Sequence, residues 1–161
     1  MILPIKNIKY IPINQHPGAF GFKRKHDIHT GVDLYCSEND IVYAIEDSKI
    51  INKGIFTGEK VGTNWWNETY FLMLEGKTGV FCYGEILIKD NLNDDIKEGQ
   101  EIGKVIPVLK ESKIRKDIEG HSNNMLHLEL YKHGTKQPVS WQHNKEKPYS
   151  LLDPSSFLLS L

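Results

Sequence analysis

The sequence predicts a mostly β protein of antiparallel strands, closed by one short C-terminal helical turn. Three observations predict it. Apolar residues recur with period two in short runs, without helical spacing. Glycine- and asparagine-bearing turns separate those runs. One segment alone, near the C-terminus, carries the signals that start a helix.

Residues 1–25 contain Pro4, Pro12, Pro17 and the turn Gly18-Ala19-Phe20-Gly21, so this segment wraps around the rest and does not form a helix. Around Gly31, the β-branched Thr30 and Val32 favour an extended chain that runs on to Cys36. Asp40–Ile45 and Lys49–Phe56 alternate about the polar Glu46-Asp47-Ser48, which predicts a hairpin. Residues 58–67 are a loop carrying Trp65 and Trp66. Thr69–Glu75 and Val80–Ile86 flank Gly76-Lys77-Thr78-Gly79, the clearest hairpin signal in the chain. Residues 91–98 are polar and turn-rich, and 99–105 form a short strand between glycines. The charged, weakly periodic stretch 107–123 reads as a loop. In 124–131, Leu126, Leu128 and Leu130 alternate with Met125, His127, Glu129 and Tyr131, a strand with a leucine face and a histidine face. Residues 132–150 are polar again, with Pro138, Trp141 and Pro148. Asp153 followed by Pro154 supplies an N-cap and a first-turn proline for the one helix.

With 161 residues the chain is expected to be one domain with a core that needs no staples. A net charge of −1 without a basic run argues against nucleic acid, and no apolar run reaches the length of a membrane span. Pro4, Lys6 and Lys9 interrupt the N-terminal apolar residues, which are therefore not a secretory signal as they stand. Compartment is left open. Cys36 and Cys82 share the parity of Leu34 and Val80, so they read as buried thiols and not as ligands. His16, His26, His133 and His143 sit in polar loops and read as surface residues.

His29-Thr30-Gly31-Val32-Asp33 and the His127 strand carry the chemistry. A spacing of four puts His29 and Asp33 on one side of an extended chain. Two imidazoles and a carboxylate are the three protein ligands a catalytic zinc takes, leaving a fourth position for water.

These residues resemble a family. His29 to Asp33, preceded by Phe20-Gly21-Phe22-Lys23-Arg24, is similar to the first zinc motif of the lysostaphin/LytM-type metalloendopeptidases, and Leu126-His127-Leu128-Glu129-Leu130 to the second. Gly99 to Gly103 and Asp153-Pro154 follow the same pattern in the same order. The resemblance spans about residues 18–160. It implies two antiparallel sheets forming a groove, one Zn2+ per chain held by His29, Asp33 and His127, and cleavage of peptide cross-links in bacterial peptidoglycan. It also implies two departures. Met125 stands where the family carries the first histidine of a His-x-His pair, and Glu85 where it carries a catalytic histidine after Tyr83.

Amide hydrolysis then needs another group to handle the proton. Glu85 is the expected base, since a carboxylate beside a zinc-bound water fills that role in other zinc peptidases. By parity Tyr83 shares its face and is a candidate donor to the oxyanion. His121 is a candidate proton donor from the loop before the second ligand strand. Asn124, Met125, Trp65 and Trp66 are expected to line the substrate groove. Glu129 is expected to support His127. The other reading is an inactive zinc-binding relative whose groove takes a peptide or a partner protein and activates another cell-wall hydrolase.

Overall fold

The computed structural model describes residues 1–114 and 123–161. Its strands are β1 (Val32–Cys36), β2 (Ile41–Tyr43), β3 (Ser48–Thr57), β4 (Thr69–Gly76), β5 (Val80–Ile88), β6 (Asp95–Ile96), β7 (Glu101–Val105), β8 (Asn124–Tyr131) and β9 (Leu151–Leu152). Among the described residues one α-helix, α1, spans Ser155–Leu159; its cap position is Pro154, one residue later than expected, and the Ser155 amide donates to Asp153 Oδ1 at 2.8 Å. Neighbouring strands run in the order β1-β8-β5-β4-β3-β6, all antiparallel, with β9 on β8 and β2 on β7. The expected pair of sheets is realised as arms of one forked sheet. Residues 80–84 of β5 pair with β8, and residues 86–88 leave it to pair with β7.

The leucine face of β8 packs with Leu34, Tyr83, Ile86, Ile45 and Ile102 in the main core. Each such buried leucine contributes roughly 1.5–3 kcal/mol. On the other side of the sheet a smaller cluster holds Met73, Val80, Cys82, Tyr131 and Leu151. Cys36 belongs to the first cluster and Cys82 to the second, and both are free buried thiols.

One predicted pairing is wrong. The strands on either side of residues 46–48 form no hairpin with each other: β2 pairs with β7, and β3 with β4 and β6. The reason lies in the residues read as a turn. Glu46 is buried, and its carboxylate accepts the Thr78 amide at 3.0 Å and hydroxyl at 2.9 Å. It caps the tip of the β4–β5 hairpin. Meanwhile the proline-bearing N-terminal segment wraps as expected. Tyr43 donates to the Pro4 carbonyl at 2.9 Å and Ile5 enters the core, so the segment occupies β2 from the side a hairpin partner would need. No helix of the described residues is long and apolar enough to cross a membrane.

Candidate metal centre

Register assembles the site. Asp33 of β1 lies directly across from His127 of β8, and His127 in turn lies across from Gly84 of β5. His29, just before β1, completes the group. His29 Nε2, Asp33 Oδ1 and His127 Nδ1 converge, with separations of 3.1 Å (His29–Asp33), 3.1 Å (His29–His127) and 2.9 Å (His127–Asp33). All three residues are buried. Gly31 makes the approach possible, since a Cβ there would lie 2.5 Å from the Leu128 carbonyl oxygen and 2.9 Å from the His127 ring.

The outer partners decide which electron pairs face inward. His29 Nδ1 donates to the Ala19 carbonyl at 2.9 Å, which leaves Nε2 as the inward atom. His127 Nε2 donates to Glu129 Oε1 at 3.1 Å, which turns Nδ1 inward. Arg24 holds the second Asp33 oxygen, Oδ2, at 2.7 Å. Three inward acceptors within 3.1 Å of one another repel unless a cation lies among them. A proton is one such cation. Burial opposes charge on His127, yet its bonds to Asp33 and Glu129 outweigh burial and raise its pKa to about 10. Burial likewise works against Asp33, but the two histidines hold its carboxyl well below the usual range. A divalent metal is the other. Tetrahedral zinc sets ligand atoms roughly 3.3 Å apart, so the cluster fits it with an opening of a few tenths of an ångström.

Glu85 stands beside this group without joining it. It has φ +63° and lies where the β4–β5 register shifts, a bulge that inserts an extra residue. Tyr83 and Ile86 both face the core, leaving Gly84 and Glu85 between them on the other side. Burial first, then the Asp33 carboxylate, raise the Glu85 pKa to about 8, while His127 and Arg24 pull against them. Its Oε2 is buried and has no hydrogen-bond partner among the described residues. Phe56 covers His127 with ring centroids 5.4 Å apart, and a Cβ on Gly84 would fall 2.5 Å from the Phe56 ring.

The bulge also overturns a prediction. Tyr83 does not share the face of Glu85: it is buried in the core and its hydroxyl accepts the Ile45 amide at 3.1 Å. Strict alternation fails there because two consecutive residues fit into one step of the ladder. Met125 lies on the His127 face opposite Tyr35, and Asn124 lies opposite Cys36. Trp65 is exposed and Trp66 half-buried. Trp66 lines a shallow pocket of about 490 Å³ with Lys60, Asn64 and Glu68, and no residue of the His-Asp-His group lines it. His121 lies outside the described residues. Sequence reading missed Arg24 and Phe56. Arg24 was legible only as part of the motif preceding His29; Phe56 meets His127 only through tertiary packing.

Comparison with solved structures gives the fold a reference. The catalytic domain of the antimicrobial peptidase lysostaphin from Staphylococcus simulans superposes with TM-score 0.55 at 19% identity, covering 88% of this chain and 89% of that one. The fold is lysostaphin-like. Helicobacter pylori Csd3 matches at TM-score 0.52 and 17% identity over 98% of this chain, which spans 38% of Csd3. No protein-family model matches the chain, and no curated protein does. The likeness shows the fold; the convergence of His29, Asp33 and His127 is read from this chain's own geometry.

Proposed function

We propose that this protein is a zinc-dependent endopeptidase that hydrolyses peptide bonds in the stem or cross-link peptides of bacterial peptidoglycan. One observation carries the reading: the inward ligand atoms of buried His29, Asp33 and His127 lie within 4.8 Å of one another, beside a carboxylate whose Oε2 has no partner among the described residues. The lysostaphin-like fold supports the substrate class, since the solved lysostaphin domain is described as an antimicrobial peptidase.

His29 Nε2, Asp33 Oδ1 and His127 Nδ1 would hold the metal. When bound, zinc supplies a Lewis acid and brings the pKa of its water to about 7. The remaining work falls to this chain. Arg24 pins Asp33 Oδ2, so that Asp33 offers a single oxygen inward. Glu85 Oε2 takes the proton of the attacking water and returns it to the leaving amine. Phe56 covers His127 and keeps solvent from that side of the site. Met125, on the same face, carries no proton and is left as a groove wall.

The test loads the protein with one equivalent of zinc and measures new amines released from purified peptidoglycan. Release is expected from wild type. Glu85→Gln keeps the side-chain volume and is expected to lose roughly 10²–10⁴-fold in rate while retaining zinc. A zinc-loaded wild type that binds peptidoglycan but releases no amines would replace hydrolysis with recognition. Unchanged rates in Glu85→Gln would remove Glu85 as the base.

A further inference from the structure

We infer that Glu129 is the positioning residue of this metal centre: a saturated buried carboxylate that sets His127 and ties both ligand-bearing segments into one unit. The inference rests on the metal reading above and deepens it. Glu129 is 1% exposed, on the same face of β8 as His127. Four donors reach it. Thr30 Oγ1 donates to Oε1 at 2.5 Å, His127 Nε2 lies 3.1 Å from that same oxygen, Tyr131 donates to Oε2 at 2.8 Å, and the Cys82 thiol bonds the carboxylate from the facing strand.

A carboxylate offers about four acceptor sites and no donor once ionised. Three of its partners here are hydroxyls and a thiol, all able to donate. With those bonds made, the fourth partner must also donate, so the proton of His127 sits on Nε2 and the Nδ1 pair points at the metal position. An imidazole left to choose its tautomer would lose part of its population to the unproductive form.

The second half of the inference concerns span. Thr30 is the neighbour of His29, so Glu129 bonds both the first ligand segment and the second ligand itself. Tyr131 extends the chain of bonds: its hydroxyl accepts the Val139 amide at 3.1 Å, and the nearby Trp141 carbonyl accepts Ile28, the residue before His29, at 2.8 Å. Segments 99 residues apart in the sequence are thus referred to one carboxylate.

Glu129→Gln is the discriminating variant. It preserves volume, so a role in packing alone leaves metal binding intact. It also introduces two N–H donors into a ring of donors, which breaks the saturation on which His127 depends. Zinc affinity measured by chelator competition is expected to fall roughly 10–100-fold, and the visible spectrum of the Co2+-substituted protein is expected to change. Thr30→Val removes one donor and the link to His29 while keeping the shape, and is expected to weaken zinc by a smaller, several-fold factor. It carries the test if Glu129→Gln does not fold. Metal-free thermal melts of each variant separate loss of fold from loss of affinity. Zinc affinity within about twofold of wild type in a folded Glu129→Gln, or in Thr30→Val if that variant alone folds, overturns the inference. Wild type that fails to bind zinc at all sinks the metal reading instead, and the two failures are distinguishable.

Discussion

His127 makes more of the site than any other residue, because each of its ring nitrogens has a separate task. Nδ1 faces His29 and Asp33 and Nε2 faces Glu129. His127→Ala is therefore expected to abolish both zinc binding and hydrolysis, whereas Glu85→Gln abolishes hydrolysis alone; metal analysis beside the amine-release assay separates the two. Tyr83 gives the opposite prediction. Its hydroxyl satisfies the buried Ile45 amide, so Tyr83→Phe should cost about 1–3 kcal/mol in denaturant unfolding and leave the zinc-loaded rate unchanged. A drop in rate without loss of stability would return Tyr83 to the groove, where period-two reading had put it. The structure puts Tyr83 in the core instead, and the alternation that would have carried its face on to Glu85 breaks at Gly84, because a bulge of one residue carries no local signature beyond a glycine.

Two glycines show how elements build the centre. β1 and β8 approach closely at Gly31, where an added Cβ meets a backbone oxygen and the His127 ring at once. The backbone has nowhere to go, so the ring must move. Gly31→Ala is expected to destabilise the fold by roughly 1–3 kcal/mol and to weaken zinc more than that loss explains, read by melting and by chelator competition. At Gly84 the clash is with the edge of the Phe56 ring, a side chain that is half-buried and able to shift. Gly84→Ala should therefore retain zinc and expose His127 on the Phe56 side. The contrast between these substitutions tests whether the fork of β5, rather than any one ligand, sets the shape of the site. The strands themselves were legible: the β4–β5 hairpin and β8 follow directly from alternation around Gly76–Gly79 and the three leucines. The β2–β7 pairing was not, because Glu46 looks like a turn residue until Thr78 is brought to it.

Across the whole molecule, the proposed metal centre would link metal binding to folding. His29, Asp33 and His127 come from segments separated by most of the chain, so an ion that bound only the folded form would stabilise the fold by mass action. Zinc at 100 times its dissociation constant adds about 2.7 kcal/mol, which corresponds to a rise of roughly 5–10 °C in melting temperature for a domain of this size. The sign with pH follows from the ligands. A ligand binds metal only when unprotonated, and in the metal-free centre the bonds to Asp33 and Glu129 outweigh burial and raise the His127 pKa to about 10, so protons compete with zinc below that pH and compete harder as pH falls. Bound zinc and the stabilisation it gives are expected to fall together as pH drops, and both return on neutralisation; melting curves with and without zinc at pH 5 and pH 7.5 check this. A melting temperature indifferent to zinc at pH 7.5 would count against the centre as drawn.

Local pattern specified the strand character, the leucine side of β8, the terminal helix and the placing of His29 and Asp33 on one side of an extended chain, since each depends on residue type and on spacing within a few positions. The facing of Asp33 and His127, the fork at β5, the turning of Glu85 out of the core and the four donors around Glu129 appeared only once the strands had paired. These depend on register between segments far apart in the chain. Register is set by the packing of both faces of the sheet together, a quantity that no single window of residues contains.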